Sequence, residues 1–358
     1  MPRPVRLLIV DDSQFVQASL KRKLGSTPEI EIVGTAGDGI EAIDRVHELR
    51  PDVVTLDVEM PRMDGLAALE HIMRTRPTPV VMLSSLTGEG ADATLRALEL
   101  GAIDFFLKPS QASPTGLDRE ATDLRAKILG AARANPARLG PVRRTAAATA
   151  RVRRSPGTHG AGMSNVLVVG SSTGGPRALM ELLPALPGDL PAGVLIVQHM
   201  PPGFTRSMAE RLDALSALHI KEASPGDVVR AGQGLIAAGG YHLVVDRRGR
   251  IDLTLDDPEH GVRPAVDVTM EAVARVYGDR SLGVVLTGMG SDGTRGAALI
   301  RAAGGRVAAE DESTCAVYGM PRSVIEAGHG DVVAPLQEMP RTIRAMCGMR
   351  EPVTRTAS

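Results

Sequence analysis

The chain contains no tryptophan, and phenylalanine and tyrosine together leave it only 2% aromatic over 358 residues. Stacking of single-stranded bases on aromatic platforms is thereby excluded, and any core has to be built from Val, Leu, Ile, Ala and Met. Cysteine is just as scarce. Cys315 and Cys347 are the only two, so there is no disulfide framework, which fits a reducing compartment. No apolar run approaches the roughly 20 residues needed to cross a bilayer. The opening MPRPVRLLIVDD turns acidic after a run too short for a signal-peptide core. The expectation is a cytoplasmic protein with no membrane insertion. Neither sign of charge dominates, since the net charge is −1.

What is present is unevenly spread. Residues 1–130 carry 15 Lys+Arg against 20 Asp+Glu, residues 131–163 carry seven Arg and no acid, and residues 164–358 carry 19 against 22. The middle segment is rich in Ala, Pro, Gly and Thr and lacks apolar periodicity, so it reads as a linker. A basic arm for nucleic acid or an acidic membrane is the alternative; a solvated connector between two acidic domains is the expectation. The length permits two domains. The expected division is a first domain over 1–130, a linker over 131–163, a second domain over 164–350 and a tail over 351–358.

Residues 5–130 alternate strand and helix patterns. VRLLIVDD reads as a strand ending in Asp11 and Asp12, and SQFVQASLKRKLGS as a helix capped by Ser13 and stopped at Gly25. IEIVGTA is a strand and DGIEAIDRVHEL a helix capped by Asp38. Three further strands end at Asp57, at Ser84 and Ser85, and at Lys108. Repeated βα units predict a doubly wound parallel sheet, with Asp11, Asp12, Asp57, Ser84 and Lys108 on one edge. Three carboxylates in one cleft repel unless a cation intervenes, and an oxygen-rich pocket suits Mg²⁺. Lys108 and a hydroxyl are suited to binding an incoming phosphoryl group, with Asp57 as the acceptor.

The second region repeats the device with different chemistry. In NVLVVGSSTGGPRA, the apolar run Val166–Val169 is a buried strand, GSSTG is a G-x-S-x-G turn, and Pro176 opens a helix. GVLIVQHM is a strand ending in His199, and LGVVLTGMGSDG a strand followed by a glycine-rich turn holding Asp292. Parallel sheets gather functional groups at the carboxyl ends of their strands. Ser172, His199 and Asp292 are therefore candidates for nucleophile, base and orienting acid. Their chain order differs from that of the α/β-hydrolases, which argues against that fold but not against the chemistry. The amides of Thr173 and Met289 are the candidate oxyanion donors.

Rivals exist at each position. Ser171 places a second hydroxyl beside Ser172. His242 lies in an expected hairpin turning at Arg247–Gly249, which suggests a structural role, and His260 lies in a polar loop near Arg263. Asp267 begins the helix-like run DVTMEAVARVYG and reads as its cap. Cys315 reads as structural. Arg206 and Arg263 are candidates for acidic substrate surroundings, though isolated arginines are usually solvated, and Met200, Met289 and Met320 are candidates for an apolar rim, core filling being the commoner role of methionine.

IVDDS, LDVEMPRMDGL, MLSSLT and DFFLKP resemble the receiver domain of two-component response regulators. That resemblance implies phosphorylation of Asp57, Mg²⁺ held by Asp11, Asp12 and Asp57, Ser84 and Lys108 on the phosphoryl group, and Phe105 as the switch aromatic. Many regulators carry a short basic DNA-binding output domain, but the region after the linker is long, mildly acidic and built of βα units. GSSTGGP, QHMPPGFTRSMAERL, GVRPAVDV, VVLTGMGSDG and STCAVYGMPR instead resemble the chemotaxis protein-glutamate methylesterases, the CheB family, over essentially the full length. The resemblance implies two α/β domains, a flavodoxin-like receiver and a Rossmann-like esterase domain with an added hairpin. It also implies ester hydrolysis and deamidation on methyl-accepting chemoreceptors, a chemotaxis histidine kinase as phosphodonor, and no cofactor at the esterase site. A monomer with no nucleic-acid partner is expected. A catalytically silent scaffold and a phosphate-binding domain using GSSTGGP as its cradle are the competing readings.

Overall fold

The structure is a computed structural model, and it describes residues 3–25, 27–85, 88–108, 117–134 and 163–349. The chain divides into two compact units, Met1–Arg143 and Arg144–Ser358.

The first unit is a five-stranded sheet of β1 (Val5–Val10), β2 (Ile30–Ala36), β3 (Val53–Asp57), β4 (Val80–Ser84) and β5 (Asp104–Leu107), in the order β2-β1-β3-β4-β5. All its pairings are parallel. The helices are α1 (Gln14–Leu24), α2 (Gly39–Leu49), α3 (Gly65–Thr75), α4 (Gly88–Leu100) and α5 (Leu117–Ala131). Every residue of β3 and β4 is buried, as strands covered on both faces require, and this is why they read as unbroken apolar runs. Leu20 and Leu24 of α1 and Leu124 and Ile128 of α5 join Leu7, Ile9, Val81 and Leu83 in one core. Ser13 and Asp38 cap α1 and α2 as the sequence predicts, each accepting from amides of the first turn. The order reverses between β1 and β3, and a crevice opens there beyond the strand ends.

The second unit contains a seven-stranded sheet in the order β14-β13-β12-β6-β7-β9-β8. Its strands are β6 (Asn165–Ser171), β7 (Ala192–Gln198), β8 (His219–Glu222), β9 (Gln233–Ile236), β12 (Ser281–Val285), β13 (Arg306–Glu310) and β14 (Val332–Ala334), all paired in parallel. Its helices are α6 (Gly175–Leu182), α7 (Phe204–Leu215), α8 (Val266–Tyr277), α9 (Thr294–Ala302), α10 (Met320–Glu326) and α11 (Met339–Met346). The expected hairpin is present: β10 (His242–Val245) pairs antiparallel with β11 (Ile251–Thr254), and Asp246 accepts from the amides of Arg248 and Arg250 across the turn. It packs on α8, where the Thr269 hydroxyl donates to the Leu243 carbonyl at 2.8 Å.

β6 is the first strand of this sheet and lies at its centre, with β7 on one side and β12 on the other. The chain runs from β6 to β7, passes to the edge strand β8, comes back inward with β9, and later crosses to the other side to wind outward through β12, β13 and β14. The crevice between β6 and β12 is thus a second topological switch point. α5 ends one residue inside the stretch read as linker; residues 135–162 and the tail 351–358 lie outside the described residues.

Candidate functional site

Three neighbouring strands end at the central crevice. β6 stops at Ser171, so Ser172 opens the turn into α6; β7 stops at Gln198, so His199 is the next residue; and the loop after β12 carries Asp292. The parallel register pairs Ser171 with Gln198, and the ladder closes with the His199 amide donating to the Ser171 carbonyl at 3.2 Å. Ser172 and His199 are therefore held side by side by backbone, about one strand spacing apart. On the other side, the Ser172 amide donates to the Thr287 carbonyl at 3.1 Å. A Cβ on Gly288 would sit 2.8 Å from the Ser172 Cβ. Only a residue without a side chain lets the β12 loop come this close.

Asp292 is 1% exposed. Its Oδ2 accepts from His199 Nε2 at 2.7 Å and from the Val266 amide at 2.7 Å, and its Oδ1 from the Asp267 amide at 2.8 Å. Those two amides form the first turn of α8, where the helix dipole favours an anion. Gly170 makes this approach possible, because a Cβ there would lie 2.4 Å from Val266 Cγ1. Burial pushes the Asp292 pKa up, but the hydrogen bond and charge of His199 and the two amides outweigh it. The carboxyl is held below the usual carboxylate range. With Nε2 committed to Asp292, Nδ1 is the nitrogen left to take a proton from a nucleophile. The Ser172 hydroxyl bonds no described residue; nucleophile–base bonds commonly tighten only around substrate.

The rivals are placed elsewhere. Ser171 is fully buried and its hydroxyl donates to Gln198 Oε1 at 2.7 Å. His242 is also fully buried, its Nε2 on the Asp257 carbonyl and its Nδ1 accepting from the Ala265 amide. Cys315 is buried. Arg263 donates to the carbonyls of Leu255 and Asp256, and Arg206 lies 3.6 Å from Glu222. Met200 and Met320 are core residues, the commoner role of methionine, and of the three methionines only Met289 is exposed. Thr173 is buried, and its carbonyl accepts from the Thr287 hydroxyl at 3.0 Å.

Asp267 is not the cap of its own helix. α8 starts at Val266 with Ala265 as its N-cap, and the buried Asp267 side chain instead accepts from the Gly296 amide in the first turn of α9, at 2.7 Å. Asp292, just before α9, binds the first turn of α8. The two helices therefore cap each other. His260 bonds Asp267 at 2.8 Å and comes within 3.9 Å of Asp292. Glu259, His260 and Asp267 bring ligating atoms within 4.8 Å of one another, but Arg295 already grips both Glu259 oxygens at 2.6 and 2.8 Å. The sequence reading assigned no role to Gln198 or Thr287. The one signal was a polar Gln closing a wholly buried strand, since a buried amide has to be satisfied.

In the first unit, Asp57 ends β3 and is 4% exposed. Lys108 Nζ bridges Asp57 at 2.6 Å and Asp11 at 2.9 Å. Burial raises the Asp57 pKa to about 6 while Lys108 pulls it the other way. Burial lowers that of Lys108, but Asp57 and Asp11 outweigh it and hold the ammonium above its usual value. The carboxylates of Asp11, Asp12 and Asp57 lie within 4.8 Å of one another. Three hard oxygen donors beside an open pocket suit a small divalent cation that keeps several waters. Asp12, Asp57, Ser85 and Lys108 line the cavity. Ser84 is turned inward, donating to the Gly90 carbonyl and accepting from Thr94 at 2.7 Å. Phe105 is buried, with the Lys127 ammonium 5.7 Å from its ring centre.

The family model for CheB methylesterase matches residues 167–343, and that for the response regulator receiver domain matches residues 7–114. A protein-glutamate methylesterase/protein-glutamine glutaminase of Symbiobacterium thermophilum is 52% identical over 97% of this chain and 98% of its own. One of Pyrococcus horikoshii is 48% identical over 96% and 94%. The crystal structure of the Thermotoga maritima CheB methylesterase catalytic domain superposes with a TM-score of 0.50 at 46% identity, covering 51% of this chain and 98% of that one. Full-length identity of this order, on a sheet whose strand ends gather a serine, a histidine and an aspartate, places the chain in the protein-glutamate methylesterase/protein-glutamine glutaminase family, hydrolases that carry a receiver domain ahead of the catalytic one.

Proposed function

We propose that the esterase site works by a serine mechanism on methylated glutamates and glutamines of methyl-accepting chemoreceptors, under the control of a chemotaxis histidine kinase. The observation that carries this reading is the convergence of Ser172, His199 and Asp292 at one switch point, with His199 and Asp292 joined at 2.7 Å. His199 Nδ1 takes the Ser172 proton as Oγ attacks the γ-carbonyl carbon, and buried Asp292 steadies the imidazolium. Charge collects on the carbonyl oxygen, facing the amides of Thr173 and Met289. Each such donor is worth roughly 100- to 1,000-fold in rate. The imidazolium then protonates the departing methoxide or amide nitrogen, and water activated by His199 releases glutamate from the acyl-serine.

In the receiver, the ionised Asp57 carboxylate accepts the phosphoryl group, and Lys108 exchanges one carboxylate partner for a phosphoryl oxygen. Ser84 reaches that group only by leaving Gly90 and Thr94. Asp11, Asp12 and Asp57 would hold Mg²⁺, which when bound neutralises the charge gathered around the phosphoryl group. Phosphorylation relieves an inhibited resting state, and moving such an equilibrium from 1:99 to 99:1 takes roughly 5.5 kcal/mol. The protein acts as a cytoplasmic monomer with no nucleic-acid partner; among the described residues no helix is long and apolar enough to cross a membrane.

Methanol release from methylated receptor fragments tests the reading. Ser172→Ala should lose on the order of 10⁴- to 10⁶-fold in turnover, while Ser171→Ala, which removes only a hydrogen bond to Gln198, loses far less. The opposite ranking would move the nucleophile to Ser171, and no release from the wild-type chain would sink the enzymatic assignment.

A further inference from the structure

Gln198 is 2% exposed and closes β7, directly opposite Ser171. Its carboxamide has every polar function engaged across the gap between β6 and β7. Oε1 accepts from the Ser171 hydroxyl at 2.7 Å. Nε2 donates to the Ser172 carbonyl at 3.0 Å and to the His199 carbonyl at 3.1 Å. One N–H thus grips the residue carrying the attacking hydroxyl, and the other grips the residue carrying the base. The orientation of the amide follows from its partners, because the reversed amide would aim an oxygen at two carbonyl oxygens.

The clasp sits where regular pairing gives out. The last ladder bond is His199 N–H to the Ser171 carbonyl, and beyond it β6 turns into α6 while β7 runs into Met200 and Pro201. Ser172 and His199 share no side-chain bond that would hold them together. Their spacing is therefore set by backbone, and past the ladder Gln198 is the side chain that binds both.

We propose that Gln198 is the positioning residue that fixes Ser172 against His199. It acts through their two carbonyls, and the hydroxyl of Ser171 locks the rotation of its amide. The inference rests on Ser172 being the nucleophile. It assigns Ser171 to the clasp, so the two adjacent serines have different tasks. Displacements of about 1 Å between reacting groups commonly cost on the order of 100-fold in rate, so the effect belongs in turnover rather than in substrate affinity.

The test uses the full-length chain with Gln198→Met, which keeps length and removes the hydrogen bonds, and Gln198→Asn, which keeps the amide and shortens its arm. Two quantities are read: methanol release from methylated receptor fragments, and the rate constant for labelling by a fluorophosphonate, with the labelled peptide identified by mass. The expected result is a fall of roughly 100-fold in kcat with KM unchanged within about twofold for Gln198→Met, a smaller fall for Gln198→Asn, and a parallel fall in the labelling rate constant. A residue that only supports folding would lower the amplitude of labelling and leave its rate constant unchanged, even in a partly unfolded sample, and that outcome overturns the proposal. A rise in KM at constant kcat overturns it too. Wild-type chain that is not labelled at Ser172 instead removes the nucleophile assignment beneath it, a failure separable from wild-type labelling that the variants do not slow.

Discussion

At the scale of single residues, two buried carboxylates, Asp57 and Asp292, are driven in opposite directions, and the sign of each has a measurable consequence. Burial holds Asp57 at about 6, above its value in an unfolded chain. Its share of stability is therefore fully present below about pH 4 and lost as pH rises through 6. Asp57→Asn should raise the melting temperature of the receiver transition at pH 8, by up to about 3 kcal/mol in stability. The gain should fade by pH 4, and thermal melts across that range check it. Asp292 is held low by its His199 partner and two helix amides despite its burial. It stabilises above about pH 4, where the unfolded carboxyl is ionised, and loses this as pH falls through its folded value. It stays charged throughout a neutral assay. Asp292→Asn should lower kcat by roughly 10⁴-fold, as loss of the orienting acid does in serine proteases, with single-turnover kinetics as the measurement. Ser172, His199 and Asp292 were legible in the sequence because each directly follows, or lies in the turn after, an apolar strand. The middle position of the G-x-S-x-G turn already favours Ser172 over Ser171; what no local pattern shows is that the Ser171 hydroxyl is taken up by Gln198 on the neighbouring strand.

At the scale of elements, α8 and α9 share their caps. Asp292 supplies acceptors to the first turn of α8 and Asp267 to that of α9, so each helix start depends on a carboxylate borne by the other. Asp267→Ala leaves the Gly296 amide without its acceptor and should cost about 1–2 kcal/mol in stability. It should also lower kcat, because the α9 start that carries Asp292 loses its anchor. Denaturant titration and initial rates would show both, and a stability loss with full activity would separate the caps from the chemistry. Alternating apolar patterns made the strands and the hairpin legible. The Asp267 reading failed because a cap is normally sought just before its own helix, and helix starts are uncertain by a residue or two from sequence. Its partner Gly296 lies 29 positions away, beyond the reach of any local pattern.

At the scale of the whole molecule, a receiver precedes a hydrolase, and each has its own parallel sheet with its own switch point. Their order was legible because two sets of βα units flank an arginine-rich stretch without periodicity. Asp57→Asn should abolish stimulation of methanol release by a small-molecule phosphodonor while leaving the unstimulated rate in place. Stimulation that survives the change would move the switch to another residue.

The placement of β6 at the middle of its sheet, between β7 and β12, bears on how the enzyme comes into being. Ser172 and His199 enter early in the second unit, but Asp292 and the loop against Ser172 follow a strand synthesised much later. A nascent or refolding chain can thus gain most of its helices and strands while remaining chemically inert. Turnover would then be the last signal to recover, lagging circular dichroism, and truncated chains ending before β12 would pose no threat to ester groups in the cell.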